Sequence, residues 1–227
     1  MPDGKSQLLP SPRKDNAMAR KSTRNTRSRI VSAAWKLFYE QGYEETTVEE
    51  IIEVSQTSKG SFYHYFDGKD ALLGTLSTLF DEKYQELALT LDPQTPAMEQ
   101  LLFLNRELFG MIENSISMEL LTRLLSTQLI TNGEKHLLDK NRIYYKLLRK
   151  IISEGQEKGE LSRQSSTSEM VKLYALAERA LMYDWCLCAG EYSLRQYSMA
   201  VLPSFLSSFL PSRDQILMGS VPSQERI

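Results

Sequence analysis

The chain has 227 residues, 41% of them hydrophobic and 25% charged, with a formal net charge of −2. That composition fits a soluble globular protein with one large domain or two small ones, and it excludes a global field strong enough to draw nucleic acid or membrane. No run of about 18 apolar residues occurs, so no membrane span is expected, and the N-terminus lacks the apolar stretch of a secretion signal.

The charge is unevenly spread. Up to Ile30 there are eight basic residues (Lys5, Arg13, Lys14, Arg20, Lys21, Arg24, Arg27, Arg29) against Asp3 and Asp15, so this arm carries +6 and the remainder −8. A basic arm on an acidic body is a footprint of local nucleic-acid contact; the bland alternative is a solubilising tail. Met18 offers an alternative start, with the stretch holding Pro2, Pro10 and Pro12 as an extension. The two cysteines, Cys186 and Cys188, form a C-x-C pair whose side chains diverge on a helix. No other cysteine completes a tetrahedral site, so buried structural thiols are preferred over a redox switch. A reducing, cytoplasmic setting is expected, with no metal and no cofactor.

The apolar spacing reads as helices throughout. Ile30, Ala33, Ala34, Leu37 and Phe38 follow the helical repeat and predict a first helix over 26–41, ended by Gly42. Thr47 and Glu50 form a capping box that opens a short second helix to about residue 54. Thr57 or Ser58 caps a third helix through Tyr65, and Asp67 with Asp70 caps a fourth carrying Leu72, Leu76, Leu79, Phe80, Tyr84 and Leu87. Thr95 and Pro96 start a fifth helix; a sixth spans 117–130, and a seventh runs over 134–156, ended by Gly155 and Gly159. Ser166 with Glu169 opens an eighth to about residue 189, and Ser193 with Gln196 a ninth, which Pro203 is expected to kink near Met199. No strand and no internal repeat is found, so the fold class is all-α with about nine helices.

The second and third helices, separated by about three residues, have the spacing of a helix-turn-helix. Helical phase divides the aromatic stretch of the third. Phe62, Tyr65 and Phe66 form an apolar face, while Lys59, Tyr63 and His64 lie on the other side with Gly60 and Ser61. An outward face of Ser58, Lys59, Gly60, Ser61, Tyr63 and His64 suits the major groove: glycine allows close backbone approach, and the others offer hydrogen bonds to bases or phosphates. Thr47 sets a helix N-terminus where a phosphate could sit, and Lys69 is placed for another phosphate. The plain alternatives are a surface tyrosine, an uninformative histidine and a threonine that only caps.

The segments "RIVSAAWKLFYEQGYEETTVEEII" and "TSKGSFYHYFDGKDALL" resemble the TetR (tetracycline-repressor) family of bacterial transcription regulators. The resemblance covers about 26–73, less than a third of the chain. It implies a homodimer that binds a near-palindromic double-stranded DNA operator through an N-terminal domain. A larger C-terminal domain would dimerise and bind a small-molecule effector. DNA contacts are implied at Thr47, Ser58, Lys59, Gly60, Ser61, Tyr63, His64 and Lys69. The sequence departs from the family pattern at Gln56, where the inter-helix turn commonly carries glycine.

The expected organisation is a flexible basic arm over 1–23, a helix-turn-helix domain over 24–70, an effector and dimerisation domain over 71–212, and a flexible tail over 213–227. Candidate effector-pocket residues are Arg106, Phe109, Met111, Met118, Arg123, Tyr145, Tyr174 and Trp185, although methionines and aromatics on helices are more often plain core. Asp184 and Arg179 are further polar candidates. Candidate dimer-interface residues are Met182, Tyr183, Cys186, Tyr197, Val201, Leu202 and Phe205. The function expected is a sequence-specific DNA-binding repressor whose operator affinity a ligand changes. The alternative is a helical ligand-binding or protein-interaction module without DNA binding. No GxSxG, HExxH or phosphate-loop motif is present, so no enzyme is expected.

Overall fold

The computed structural model describes residues 13–130 and 135–211, with side chains from residue 25 onward. All regular secondary structure among the described residues is helical, and these residues fall into two compact units divided between Leu72 and Leu73.

The first unit contains α1 (Arg13–Gln41), α2 (Val48–Ser55), α3 (Lys59–Tyr65) and the start of α4 (Lys69–Leu73). Ile30, Ala34 and Phe38 of α1 are buried, as the periodicity requires, and α1 packs on both α2 and α3. Gly42 ends α1 with φ of 89°, and its N–H donates to the Phe38 carbonyl. α1 is longer than expected. The arm over 1–23 lies outside the described residues up to residue 12, but from Arg13 the backbone is helical. Nothing after Pro12 breaks the helix: Ala17, Met18, Ala19, Arg20 and Lys21 are good helix formers.

The second unit contains α5 (Leu76–Thr90), α6 (Ala97–Ser115), α7 (Met118–Ile130), α8 (Ile143–Glu157), α9 (Thr167–Leu187) and α10 (Leu194–Phe205). Short 3₁₀ turns lie at His136–Leu138 and Ser207–Phe209. α6 packs on α10, α8 on α9, and both α5 and α6 on α8. Leu101, Leu104, Phe109, Ile112, Leu148, Ile152, Tyr174 and Leu202 make the core.

Two further element boundaries differ from expectation. The predicted fourth helix is two, α4 and α5, interrupted at Gly74 and Thr75. The predicted seventh is a 3₁₀ turn followed by α8, because Asp139 accepts the Asn141 N–H in a local turn that competes with the helix. The ninth, α10, spans Leu194–Phe205 with Pro203 inside it. The expected tail over 213–227 lies outside the described residues. Among the described residues no helix is long and apolar enough to cross a membrane.

Candidate DNA-contacting surface and pocket residues

In the first unit, α3 divides as its phase requires. Phe62 and Phe66 are buried, Tyr65 is half-buried, and Lys59, Gly60, Tyr63 and His64 are exposed. Edge-on contact between Phe62 and Tyr63, ring centroids 5.3 Å apart, ties the exposed ring to the buried one. Ser58 caps α3: its Oγ accepts the Ser61 N–H at 3.1 Å and lies 2.9 Å from Ser61 Oγ. The Lys59 ammonium forms an exposed ion pair with Glu49 at 3.2 Å, and this pairing holds the Glu49 carboxyl below its ordinary value. Exposed pairs of this kind are weak and exchange readily for a phosphate.

The turn between α2 and α3 is built on Gln56 at φ 50°, ψ 46°. This is the left-handed conformation expected of a family glycine. Arg29 clips the turn from α1: its Nη2 donates to the Ser55 and Gln56 carbonyls at 2.5 and 2.6 Å. Arg27 lies over the Phe66 ring, 5.3 Å from its centroid. Two cations that the sequence groups with the basic arm therefore brace the reading unit. No periodicity marks them, because their partners are backbone carbonyls and a ring remote in sequence.

Two expected phosphate contacts have other roles. The Lys69 ammonium donates to the carbonyls of Tyr43, Glu44 and Thr46 at 2.6, 3.2 and 2.9 Å. It also lies 4.2 Å from the Tyr43 ring centroid. An ammonium has three donors, so none is left for a phosphate. Tyr43 completes the clasp by donating its hydroxyl to Asp70 Oδ1. At Thr47 the capping box is fully formed: Glu50 Oε2 accepts both the Thr47 N–H and its hydroxyl at 2.8 Å. These bonds hold the Glu50 carboxyl below its ordinary value. A carboxylate thus already occupies the anion-attracting end of α2.

The second unit does not gather the expected pocket residues around one cavity. Phe109 is plain core. Tyr174 is fully buried with its hydroxyl on the Leu101 carbonyl, and Trp185 is buried with its indole N–H on the Tyr192 carbonyl. Met111 and Met118 are half-buried, and Arg123 is exposed. Arg106 is paired with its neighbour Glu107 at 2.9 Å and lines a hollow between the ends of α5 and α6, away from Tyr145. Of the expected pocket residues, Tyr145 and Arg179 line the groove of about 540 Å³ between α8 and α9. Asp184 is exposed and accepts the Tyr192 hydroxyl at 2.6 Å.

The sequence missed the unit's most unusual feature. Glu178 is buried, 3% exposed, and accepts hydrogen bonds from Asn105 Nδ2 at 2.9 Å and the Tyr144 hydroxyl at 2.6 Å. Burial pushes its carboxyl above the ordinary value of 4.5. The Tyr84 hydroxyl is buried beside it and carries no hydrogen bond of normal geometry among the described residues. Glu178 sits among apolar residues at helical spacing, so its inward phase was readable. The groove-lining Arg179 is its neighbour in the chain. Both cysteines are free and half-buried, and burial pushes the Cys186 thiol up, away from a reactive thiolate.

Of the candidate dimer residues, Met182 and Leu202 are buried inside the protomer. Tyr183, Cys186 and Val201 are half-buried, and Tyr197 and Phe205 are exposed. The outward stripe of α9 is Leu173, Leu176, Ala180, Tyr183 and Leu187, with alternating spacings of three and four. Leu187 is 84% exposed.

Residues 30–76 match the model for bacterial regulatory proteins of the tetR family. The tetR-family likeness is shown over this segment. Among curated relatives, the HTH-type transcriptional regulator HbdR of Aromatoleum sp. (strain CIB) is 41% identical over 76 residues, covering 33% of this chain and 33% of its own. The uncharacterised regulator YhgD of Bacillus subtilis is 26% identical over 167 residues, 69% of this chain and 82% of its own. The matches to the first relatives span 24–33% of those proteins' lengths, concentrating the likeness in the first unit. FadR of Thermus thermophilus, a TetR-family transcriptional repressor solved in complex with lauroyl-CoA, superposes with a TM-score of 0.68. It is 23% identical, covering 88% of this chain and 98% of its own, a likeness of fold.

Proposed function

We propose that the chain is a DNA-binding transcriptional repressor, not an enzyme, whose first unit reads an operator through the exposed face of α3. The observation that carries this reading is a helix-turn-helix braced from three sides. Arg29 holds the turn, Lys69 holds the loop before α2, and Phe62 and Phe66 anchor α3. Lys59, Gly60, Tyr63 and His64 are left facing outward. Ser58 and Ser61 shape the helix start and can reach phosphates. A ligand-binding or interaction module without DNA activity would have no use for this polar, exposed face.

The second unit dimerises through the outward stripe of α9 with Tyr197, Val201 and Phe205 of α10. An apolar stripe of this length on a described helix is otherwise left in water. Two-fold symmetry then demands a near-palindromic operator. A small molecule bound by the second unit changes operator affinity by as much as it prefers one conformation over another. The complex of the similarly folded FadR with lauroyl-CoA supports a ligand role for this unit. The cytoplasm is the compartment proposed, because it holds the DNA.

The test is a gel shift with DNA upstream of the chain's own coding region, alongside sedimentation of the free protein. Lys59→Ala with Tyr63→Ala is expected to weaken binding by about tenfold or more without changing the helical signal. Affinity is expected to fall steeply with salt. Undiminished binding by the double variant would remove α3 as the reading face, and a monomer at micromolar concentration would remove the dimer.

A further inference from the structure

The groove between α8 and α9 has a charge pattern that nothing in the core or the reading unit accounts for. It measures about 540 Å³, within the range of small-molecule sites. Four cations converge on it: Lys140 from the turn before α8, Arg149 from α8, and Lys172 and Arg179 from α9. The only acid among its lining residues is Glu169, whose carboxylate is committed to the Ser166 N–H and hydroxyl at 2.8 Å. The ammonium groups of Lys140 and Lys172 have no hydrogen-bond or ion-pair partner among the described residues. Arg149 spends one nitrogen on the Lys140 carbonyl, and Arg179 one on the Tyr145 hydroxyl. Beyond Ile30 the chain is strongly acidic, so four cations in one concavity, with Glu169 the single acid among its lining residues, run against its general trend. Leu138, Val171 and Ala175 supply apolar wall beside them, and Leu138 is 48% exposed.

Like charges crowded in a concave, partly apolar space repel one another and focus a positive potential. A ligand relieves both features when an anionic head satisfies the cations and an apolar body covers Leu138, Val171 and Ala175. A cation is repelled, and a neutral alcohol leaves the cations unpaired. We propose that this groove binds a small amphiphilic anion, with a phosphate or carboxylate head held by Lys140, Arg149, Lys172 and Arg179. This names the ligand class for the second unit and so rests on the proposed effector role, but the site itself stands without DNA. The groove lies about a quarter-turn of α9 from its outward stripe, on the flank of the face assigned to dimerisation.

The experiment is calorimetric titration of the full chain, free of DNA, with octyl phosphate, 1-octanol, octyltrimethylammonium and inorganic phosphate. Octyl phosphate is expected to bind once per chain, at least about tenfold more tightly than the other three. Lys140→Ala with Lys172→Ala removes two of the four cations and is expected to weaken octyl phosphate about tenfold or more, with melting temperature unchanged. Lys83→Ala, remote from the groove, is expected to leave binding intact. Octanol or octyltrimethylammonium binding as well as octyl phosphate would overturn the proposal. So would wild-type affinity in the double variant, or capture by phosphatidylglycerol vesicles without binding of the monomer. A gel shift that persists while octyl phosphate fails to bind removes the groove and leaves the DNA reading standing. Binding of octyl phosphate without any effect on the gel shift keeps the groove and removes its effector role.

Discussion

Gln56 carries a backbone conformation that its side chain disfavours. At φ 50° an L-residue brings Cβ close to the following carbonyl, at a cost of roughly 1–2 kcal/mol, which glycine avoids. Glycine loses more conformational entropy on folding, roughly 0.5–1 kcal/mol relative to alanine, so the net gain is smaller than the strain. Gln56→Gly is therefore expected to stabilise the first unit by roughly 0.5–1 kcal/mol in denaturant unfolding, with the same helical content. The Arg29 clip acts on the Gln56 carbonyl and survives the substitution. A loss of stability would mean that the Gln56 side chain does something its backbone angle does not reveal. Lys69 teaches a complementary lesson: its position beside a helix start made it look like a phosphate ligand, yet three loop carbonyls claim it. Such carbonyls leave no trace in a hydrophobic pattern.

Helices with paired start signals were legible nearly to the residue. Thr47–Glu50, Ser166–Glu169 and Ser193 all cap as their spacing requires, because a capping contact is local in sequence. Ends set by tertiary contacts were not legible. Gly155 reads as a terminator yet lies inside α8, at a close approach to α6. A Cβ built there would lie 2.5 Å from Ala97 Cβ and 2.9 Å from Leu161 Cδ1. Ala97 is the first residue of α6 and its side chain cannot rotate away. Gly155→Ala is expected to cost about 1–3 kcal/mol of overpacking, against a helix-propensity gain of about 1 kcal/mol. The net expectation is a lower melting temperature. Adding Ala97→Gly removes the 2.5 Å contact and is expected to recover part of the loss, whereas a purely local effect of alanine on α8 would show no recovery. The same limit explains the pocket and interface residues. Met182 and Leu202 look interchangeable with outward neighbours in a helix apolar on several faces, and packing alone turns them inward.

At the scale of the whole molecule, the unit that the family pattern does not cover has a carboxyl group in its core. Glu178 on α9 is faced by Tyr84 and Asp81 from α5, Asn105 from α6, Tyr144 and Arg142 from α8 and its flank, and Tyr174 and Arg179 from α9 itself. Arg142 is held by Asp81 at 2.9 Å, and burial pushes the three tyrosine hydroxyls well above 10, so they stay neutral through the physiological range. Burial is the largest influence on Glu178, raising its carboxyl, and the hydrogen bonds from Tyr144 and Asn105 oppose it. An acid with a raised folded value binds its proton in the native chain while the unfolded chain has released it. Stability attached to such a group is therefore highest at low pH. It falls as pH rises from about 4.5, the ordinary value, through the raised folded value, and is flat above it. Glu49, Glu50 and Glu169 act in the opposite sense, losing their stabilising bonds as pH drops below the ordinary carboxylate value. Their effect is shared by wild type and variant and cancels in a difference. Glu178→Gln keeps the shape, retains hydrogen-bonding capacity toward Asn105 and Tyr144, and cannot ionise. Unfolding free energies measured across pH 5 to 8 are expected to fall with pH more steeply in the wild type than in Glu178→Gln, so that the variant gains relative stability as pH rises. Parallel pH profiles would mean that Glu178 has the same proton affinity folded and unfolded, and that the tyrosine–asparagine shell fully compensates its burial.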